Sequence, residues 1–192
     1  MSTLRVIAGK ARGRRLRAVP GDSTRPITNR AKEALFNILA SDIEQASVLD
    51  LFAGTGAVGI EALSRGAGFA LFIDLQRQAV ETVRQNLKTT GFEAEAEVLR
   101  MDAFAYLERP VERTFEVIFI APPQYRELWK KALLCLDAHP GWMAEDAWVI
   151  AQIHPVEYQP LELVELQEFD QRRYGSVLFV FYERTETHSQ LA

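Results

Sequence analysis

Residues 28–40 carry Ala31, Ala34, Leu35, Ile38 and Leu39 at helical spacing, with Arg30, Lys32 and Glu33 on the other side. That pattern predicts an amphipathic helix with a charged outer face. Residues 47–52, Ser-Val-Leu-Asp-Leu-Phe, form an apolar run too short for a helix and bounded by glycine, so a buried strand is expected. A glycine loop and a helix over about 57–65 follow, then a strand over 69–74. Ala79, Val80, Val83 and Leu87 predict a second amphipathic helix over 76–89, closed by Gly91. A strand over 94–99, a short helix over 102–108 and a strand over 115–120, stopped by Pro122-Pro123, continue the series. A helix over 128–136 and a strand over 147–153 complete it. The alternation then breaks: 161–169 and 176–182 read as two strands joined by a polar turn around Arg172-Arg173-Tyr174-Gly175. Regular strand–helix alternation predicts an α/β fold, a Rossmann-like, mostly parallel seven-stranded sheet covered on both faces. The closing hairpin is expected to add an antiparallel strand at one edge.

Length and composition are consistent with this picture: 192 residues, 48% hydrophobic and 25% charged, describe one soluble domain with a real core. No apolar run reaches the roughly 20 residues of a membrane span, and residues 1–10 lack the apolar centre of a signal peptide, so a cytoplasmic protein is expected. A single cysteine, Cys135, excludes an internal disulfide and a cysteine-rich zinc site, and reads as a small buried residue on a helix. His139, His154 and His188 are scattered, with no partner at metal-ligand or triad spacing, so no metal is expected.

Charge changes the picture more. The net charge of −4 hides an asymmetry: Arg5, Lys10, Arg12, Arg14, Arg15, Arg17, Arg25, Arg30 and Lys32 face one acid, Asp22, within the first 32 residues, giving +8 there and −12 beyond. A basic arm on an acidic body can dock on phosphates. Glycines and apolar residues interleave with these charges (Val6-Ile7-Ala8-Gly9, Leu16, Val19), which favours a strand or hairpin over a free tail. Residues 1–40 are therefore expected to be a basic extension, arm plus helix, packed on a body of residues 41–192.

The chemistry begins at Val48-Leu-Asp-Leu-Phe-Ala-Gly-Thr-Gly-Ala-Val-Gly59. Gly54 and Gly56 leave a strand and open a helix, where a missing side chain lets backbone approach a ligand. The string also matches the dinucleotide fingerprint, with Asp74 twenty residues after Gly54, so a nicotinamide or flavin oxidoreductase is a rival reading. Asp50, inside the strand, argues against it. A dinucleotide has no use for a carboxylate there, whereas the ammonium of S-adenosylmethionine does. Asp74 can accept from ribose hydroxyls and Asp102 from an adenine amine, and three acids ending three consecutive parallel strands converge on one crevice. The second site is Ala121-Pro122-Pro123-Gln124-Tyr125. Paired prolines form a rigid turn of carbonyl acceptors, and a nearby aromatic can stack on a planar base bearing an exocyclic amine.

Arg5-Val-Ile-Ala-Gly-Lys-Ala-Arg-Gly-Arg-Arg-Leu16, Thr24-Arg-Pro-Ile-Thr-Asn-Arg-Ala-Lys-Glu-Ala-Leu-Phe-Asn-Ile-Leu39, Leu49–Gly56, Glu61-Ala-Leu-Ser-Arg-Gly66 and Arg173-Tyr-Gly175 together resemble the RsmD-type family of bacterial small-subunit ribosomal RNA guanine-N2 methyltransferases. The resemblance implies methyl transfer from S-adenosylmethionine to the exocyclic amine of a guanine. The partner it implies is ribosomal RNA, naked or in the assembled subunit, and neither metal nor membrane. On that reading Asp50, Gly54, Gly56, Asp74 and Asp102 hold the cofactor, and Pro122, Pro123, Gln124 and Tyr125 present the base. Arg5, Lys10, Arg12, Arg14, Arg15, Arg25 and Arg30 bind RNA, with Arg25 and Arg30 lining the site. This chain departs from the family at one point. The pattern Asp/Asn-Pro-Pro-aromatic has alanine at 121, and the aromatic is displaced by one residue; Gln124 is the expected substitute acceptor. The departure keeps a second possibility open, an RNA-binding relative that retains the cofactor pocket with impaired catalysis.

Overall fold

The computed structural model describes residues 4–21 and 27–185. Among them are seven strands, β1 (Ser47–Asp50), β2 (Phe69–Asp74), β3 (Ala96–Arg100), β4 (Phe115–Ile120), β5 (Met143–Ile153), β6 (Leu166–Tyr174) and β7 (Val177–Arg184). The helices are α1 (Asn29–Leu39), α2 (Ala57–Ser64), α3 (Arg77–Thr90), α4 (Ala103–Leu107) and α5 (Leu128–Ala138). One sheet runs β3-β2-β1-β4-β5-β7-β6, with β7 antiparallel to both β5 and β6 and the other pairings parallel. The expected architecture is the one observed.

Side-chain alternation assigns the two faces. Val48, Phe72, Val117, Phe119 and Ile150 pack under α1, α2 and α3, whereas Leu49, Leu71, Ile118 and Val149 pack under α4 and α5. Each such fully buried side chain contributes about 1.5–3 kcal/mol. All eight residues of α2 are buried, because the sheet lies on one side of it and the arm and α1 on the other. Gly59 is required there: a Cβ would stand 2.3 Å from Phe72 Cε1. The third glycine of the fingerprint thus serves helix–sheet contact, a need any enzyme with this turn shares.

Several boundaries move, each for a local reason. Strand β1 stops at Asp50, where the chain turns into the glycine loop. Strand β5 begins four residues before the expected Ala147, since Met143 already pairs with Phe115; an irregularity around polar Glu145-Asp146 hides the start. Strand β6 begins at Leu166 because residues 164–166 donate their N–H groups to the Asp137 carboxylate, at 2.7–3.1 Å. It continues through Arg172-Arg173-Tyr174, expected as the turn; an edge strand needs no apolar outer face, and charge protects it from further pairing.

The arm packs on the body as a short hairpin. Arg5 and Arg15 form an antiparallel bridge, and Val6, Ala11, Leu16 and Val19 are buried. One expectation fails at Lys32. The helical pattern placed it on the charged outer face of α1, but it is fully buried, pairing with Glu61 at 3.1 Å and donating to the Arg5 carbonyl oxygen at 2.7 Å. The arm covers that side of the helix. Glu61, equally buried, also accepts from Ile7 N, Ala8 N and Arg65 Nε at 2.8–3.0 Å. Burial lowers the Lys32 pKa, and the Glu61 carboxylate opposes that shift.

Candidate functional site

From β1 the chain builds outward through β2 to β3, then returns to lay β4 on the other flank of β1. Connections diverge between β1 and β4, and open α/β sheets bind ligands at such a switch point, beyond the carboxyl ends of the strands. A cavity of about 470 Å³ lies there. Its wall includes Asp50, Gly54, Asp74 and Asp102 on one side, and Ala121, Pro122, Pro123 and Gln124 on the other. The two motifs read separately from the sequence therefore share one cavity.

Asp50 ends β1 and is 2% exposed. Among the described residues it accepts one hydrogen bond, a long one of 3.4 Å from Gly59 N. Burial pushes its pKa up to about 7, with the Gly59 bond working against the rise and Asp74 adding to it. A cation in the cavity would oppose that rise and favour the ionised carboxylate.

Asp74 braces the glycine loop, accepting from Gly54 N at 2.9 Å through Oδ2 and from Gln76 N at 2.8 Å through Oδ1. Each oxygen keeps a further lone pair for a hydroxyl donor. Asp102 caps α4: its Oδ1 accepts from Phe104 N and Ala105 N, both at 3.0 Å. Its Oδ2 has no donor among the described residues. Gly54 and Gly56 sit at φ 54° and 75°. Gly56 is the N-cap of α2 and stands outside the cavity wall, so its part is to turn the chain.

On the substrate side, Pro122-Pro123 follows β4 as expected, but Tyr125 is 66% exposed and off the cavity wall. At φ 61° its backbone points the ring outward, 5.7 Å from the ring of His154. Glu157 locks this arrangement, accepting from Tyr125 N at 2.7 Å and His154 N at 3.1 Å. His154, expected from sequence to have no metal or triad partner, thus packs beside the proline turn. Arg126 and Gln152 also line the cavity, and sequence reasoning missed both. Arg126 carried no pattern, whereas Gln152 is a polar residue amid the apolar run of β5 and could have been noticed.

The basic arm residues Arg5, Lys10, Arg12, Arg14 and Arg15 are exposed, as is Arg30 on α1. Among the described residues none of these six is within 4.0 Å of a carboxylate. Arg30 does not reach the cavity wall, and Arg25 lies outside the described residues.

A family model described as Conserved hypothetical protein 95 matches residues 4–183. The chain is 40% identical over 184 residues to the Bacillus subtilis (strain 168) protein named "Putative rRNA methyltransferase YlbH", covering 94% of this chain and 99% of that one. It is 32% identical over 181 residues to "Ribosomal RNA small subunit methyltransferase D" of Escherichia coli (strain K12), covering 94% and 90% of the two chains. Among solved structures, "Putative methyltransferase yhhF from Escherichia coli" superimposes with a TM-score of 0.84 at 32% identity, over 95% of this chain and 98% of that one.

Proposed function

Since the chain belongs to the family described as Conserved hypothetical protein 95, we propose that it is an S-adenosylmethionine-dependent methyltransferase of ribosomal RNA, acting on the exocyclic N2 amine of a guanine. The observation that carries the reading is Asp50: a buried carboxyl with one long hydrogen bond, in the wall of a cavity at the switch point. A nicotinamide dinucleotide leaves that charge unanswered, and an α-ammonium answers it.

S-adenosylmethionine supplies a methyl group on a sulfonium, an electrophile whose sulfur departs neutral. Asp50 faces its ammonium, Asp74 accepts from the ribose hydroxyls through its remaining lone pairs, and the second oxygen of Asp102 accepts from the adenine amine. The carbonyls of Ala121 and Pro122, held by the proline turn, accept from the substrate amine and orient its lone pair toward the methyl. Gln124 lies in the same wall, Arg126 can meet a carboxylate or phosphate, and Tyr125 stands at the rim where a flanking base could stack. The exposed cations of the arm take the RNA backbone, naked or within the small subunit.

Transfer of tritiated methyl from S-adenosylmethionine to small-subunit ribosomal RNA, free and as assembled particles, tests the proposal. Label in N2-methylguanine is the expected result. Alanine at 121 favours a second reading, RNA binding without transfer. Tight S-adenosylhomocysteine binding with no label in either substrate would establish that reading and overturn ours.

A further inference from the structure

We infer that the side-chain acceptor missing at Ala121 is supplied from the adjacent strand by Gln152, which holds the substrate amine during transfer. The inference rests on the function proposed above. Strands β4 and β5 run parallel with Ile120 opposite Ala151, so the next pair, Ala121 and Gln152, are neighbours where the strands leave the sheet. Both belong to the same face. Val117 and Phe119 on β4 and Ile150 on β5 pack under α1–α3, and alternation returns Ala121 and Gln152 to that side. Asp50 shares it, since Val48 lies in that core and Leu49 in the other. Asp50, Ala121 and Gln152 therefore stand in order on three adjacent strands, and all three line the cavity.

Gln152 Oε1 is buried and accepts no hydrogen bond among the described residues. Its neighbour across the sheet on β7 is Phe179, which has no side-chain donor. Along β5, Ala147, Val149, Ile150, Ala151 and Ile153 are all buried and apolar, so folding alone gives no reason for an amide there. A buried acceptor without a donor costs stability, and it is retained where a ligand brings the missing N–H. Gln124 also lines the cavity, but from the loop next to exposed Tyr125. Gln152 stands on a strand between buried neighbours whereas Gln124 stands in a loop, and an acceptor carried by the sheet is the better preorganised of the two for stabilising developing charge.

In the transfer the nitrogen lone pair forms the bond to the methyl carbon while the carbon–sulfur bond breaks, its electron pair staying on sulfur. The nitrogen then gives one proton to water. Gln152 accepts an N–H hydrogen bond throughout and takes no proton, favouring the pyramidal nitrogen and its growing positive charge.

Gln152→Leu, close in size, separates this role from a structural one. Methyl transfer at saturating RNA and cofactor should fall at least tenfold, while S-adenosylhomocysteine affinity stays within twofold of wild type. The melting temperature of the ligand-free protein should rise by about 2–6 °C, because an orphaned acceptor has been removed. Ala121→Asn in the Gln152→Leu background should recover most of the lost rate. Transfer by Gln152→Leu within threefold of an active wild type overturns the inference alone. So does a fall in melting temperature, or a failure of Ala121→Asn to rescue. An inactive wild type overturns the functional reading, and this inference with it.

Discussion

Asp50 makes cofactor binding a proton-linked event whose size follows from its burial. With a pKa of about 7 in the ligand-free protein, against 3.8 for a free side chain, the carboxyl is protonated in much of the population at neutral pH. Only the ionised form can pair with the ammonium of S-adenosylhomocysteine, which, as the ammonium of a free amino acid beside its own carboxylate, stays protonated across this range. The ionised fraction is about 0.76 at pH 7.5 and about 0.03 at pH 5.5, so affinity should fall about 25-fold between them, roughly 1.9 kcal/mol. Titration calorimetry across that range, in buffers of different ionisation enthalpy, should also detect about half a proton released per ligand at pH 7. Asp50→Asn should bind weakly and with a flat profile. An affinity for wild type that stays within threefold from pH 5.5 to 7.5 would refute the assignment of Asp50 to the ammonium.

The same shift carries a stability signature of definite sign. A carboxyl whose folded pKa is raised binds more protons in the native than in the unfolded state between pH 3.8 and about 7. Asp50 therefore lowers stability as pH rises through that window, by on the order of 4 kcal/mol once fully ionised. Ligand-free Asp50→Asn should outlast wild type at pH 8 and approach it at pH 5, and saturating ligand should narrow the gap at pH 8.

Asp74→Ala should weaken S-adenosylhomocysteine binding by roughly 1.5–3 kcal/mol, the worth of hydrogen bonds to a charged group, and affinity within twofold of wild type would remove Asp74 from the ribose site. Glu61→Leu strands a buried ammonium and two arm N–H groups, so it should cost about 3–5 kcal/mol and lower the melting temperature by roughly 6–20 °C. Adding Lys32→Met should recover part of that loss, and a melting point for Glu61→Leu within 2 °C of wild type would show the pair is dispensable. Replacing Arg12, Arg14 and Arg15 with glutamine should reduce the salt slope of RNA binding by up to about 3 while sparing ligand affinity. Deleting residues 1–20 should instead lower both stability and ligand affinity, as thermal melts and calorimetry would register.

Periodicity made most of the fold legible because the central strands β1, β2 and β4 are covered on both faces and read as nearly continuous apolar runs, whereas the edge strand β3 has no fully buried residue. It failed where stability comes from a side chain distant in sequence. Nothing near Leu161 announces that Asp137 will take up the N–H groups of residues 164–166 and delay the strand to Leu166. Nothing on α1 announces that the arm will cover Lys32. The grouping of the acids was legible for a related reason: Asp50 and Asp74 end strands, Asp102 follows one by two residues, and parallel strands bring such ends together. Tyr125 was misplaced because its positive φ, which turns the ring out of the cavity, is enforced by Glu157 thirty-two residues later.

The arm and the cavity wall share a single element, α2, and on the proposed reading this would tie RNA docking to cofactor binding. The helix begins at Gly56 beside the cavity and donates Gly59 N to Asp50, then holds the arm through Glu61 and Ser64, whose Oγ donates to Ala8 O and accepts from Ala11 N. Further along, Arg17 N donates to Asn86 Oδ1, while Asn86 Nδ2 donates to the carbonyls of Arg17 and Thr55, the latter in the glycine loop. On the proposed reading, a shift of the arm on engaging phosphates would reach both sides of that loop through these hydrogen bonds. The arm's charges face solvent while its apolar residues and backbone belong to the core, so side-chain neutralisation and truncation address different functions of the same twenty residues.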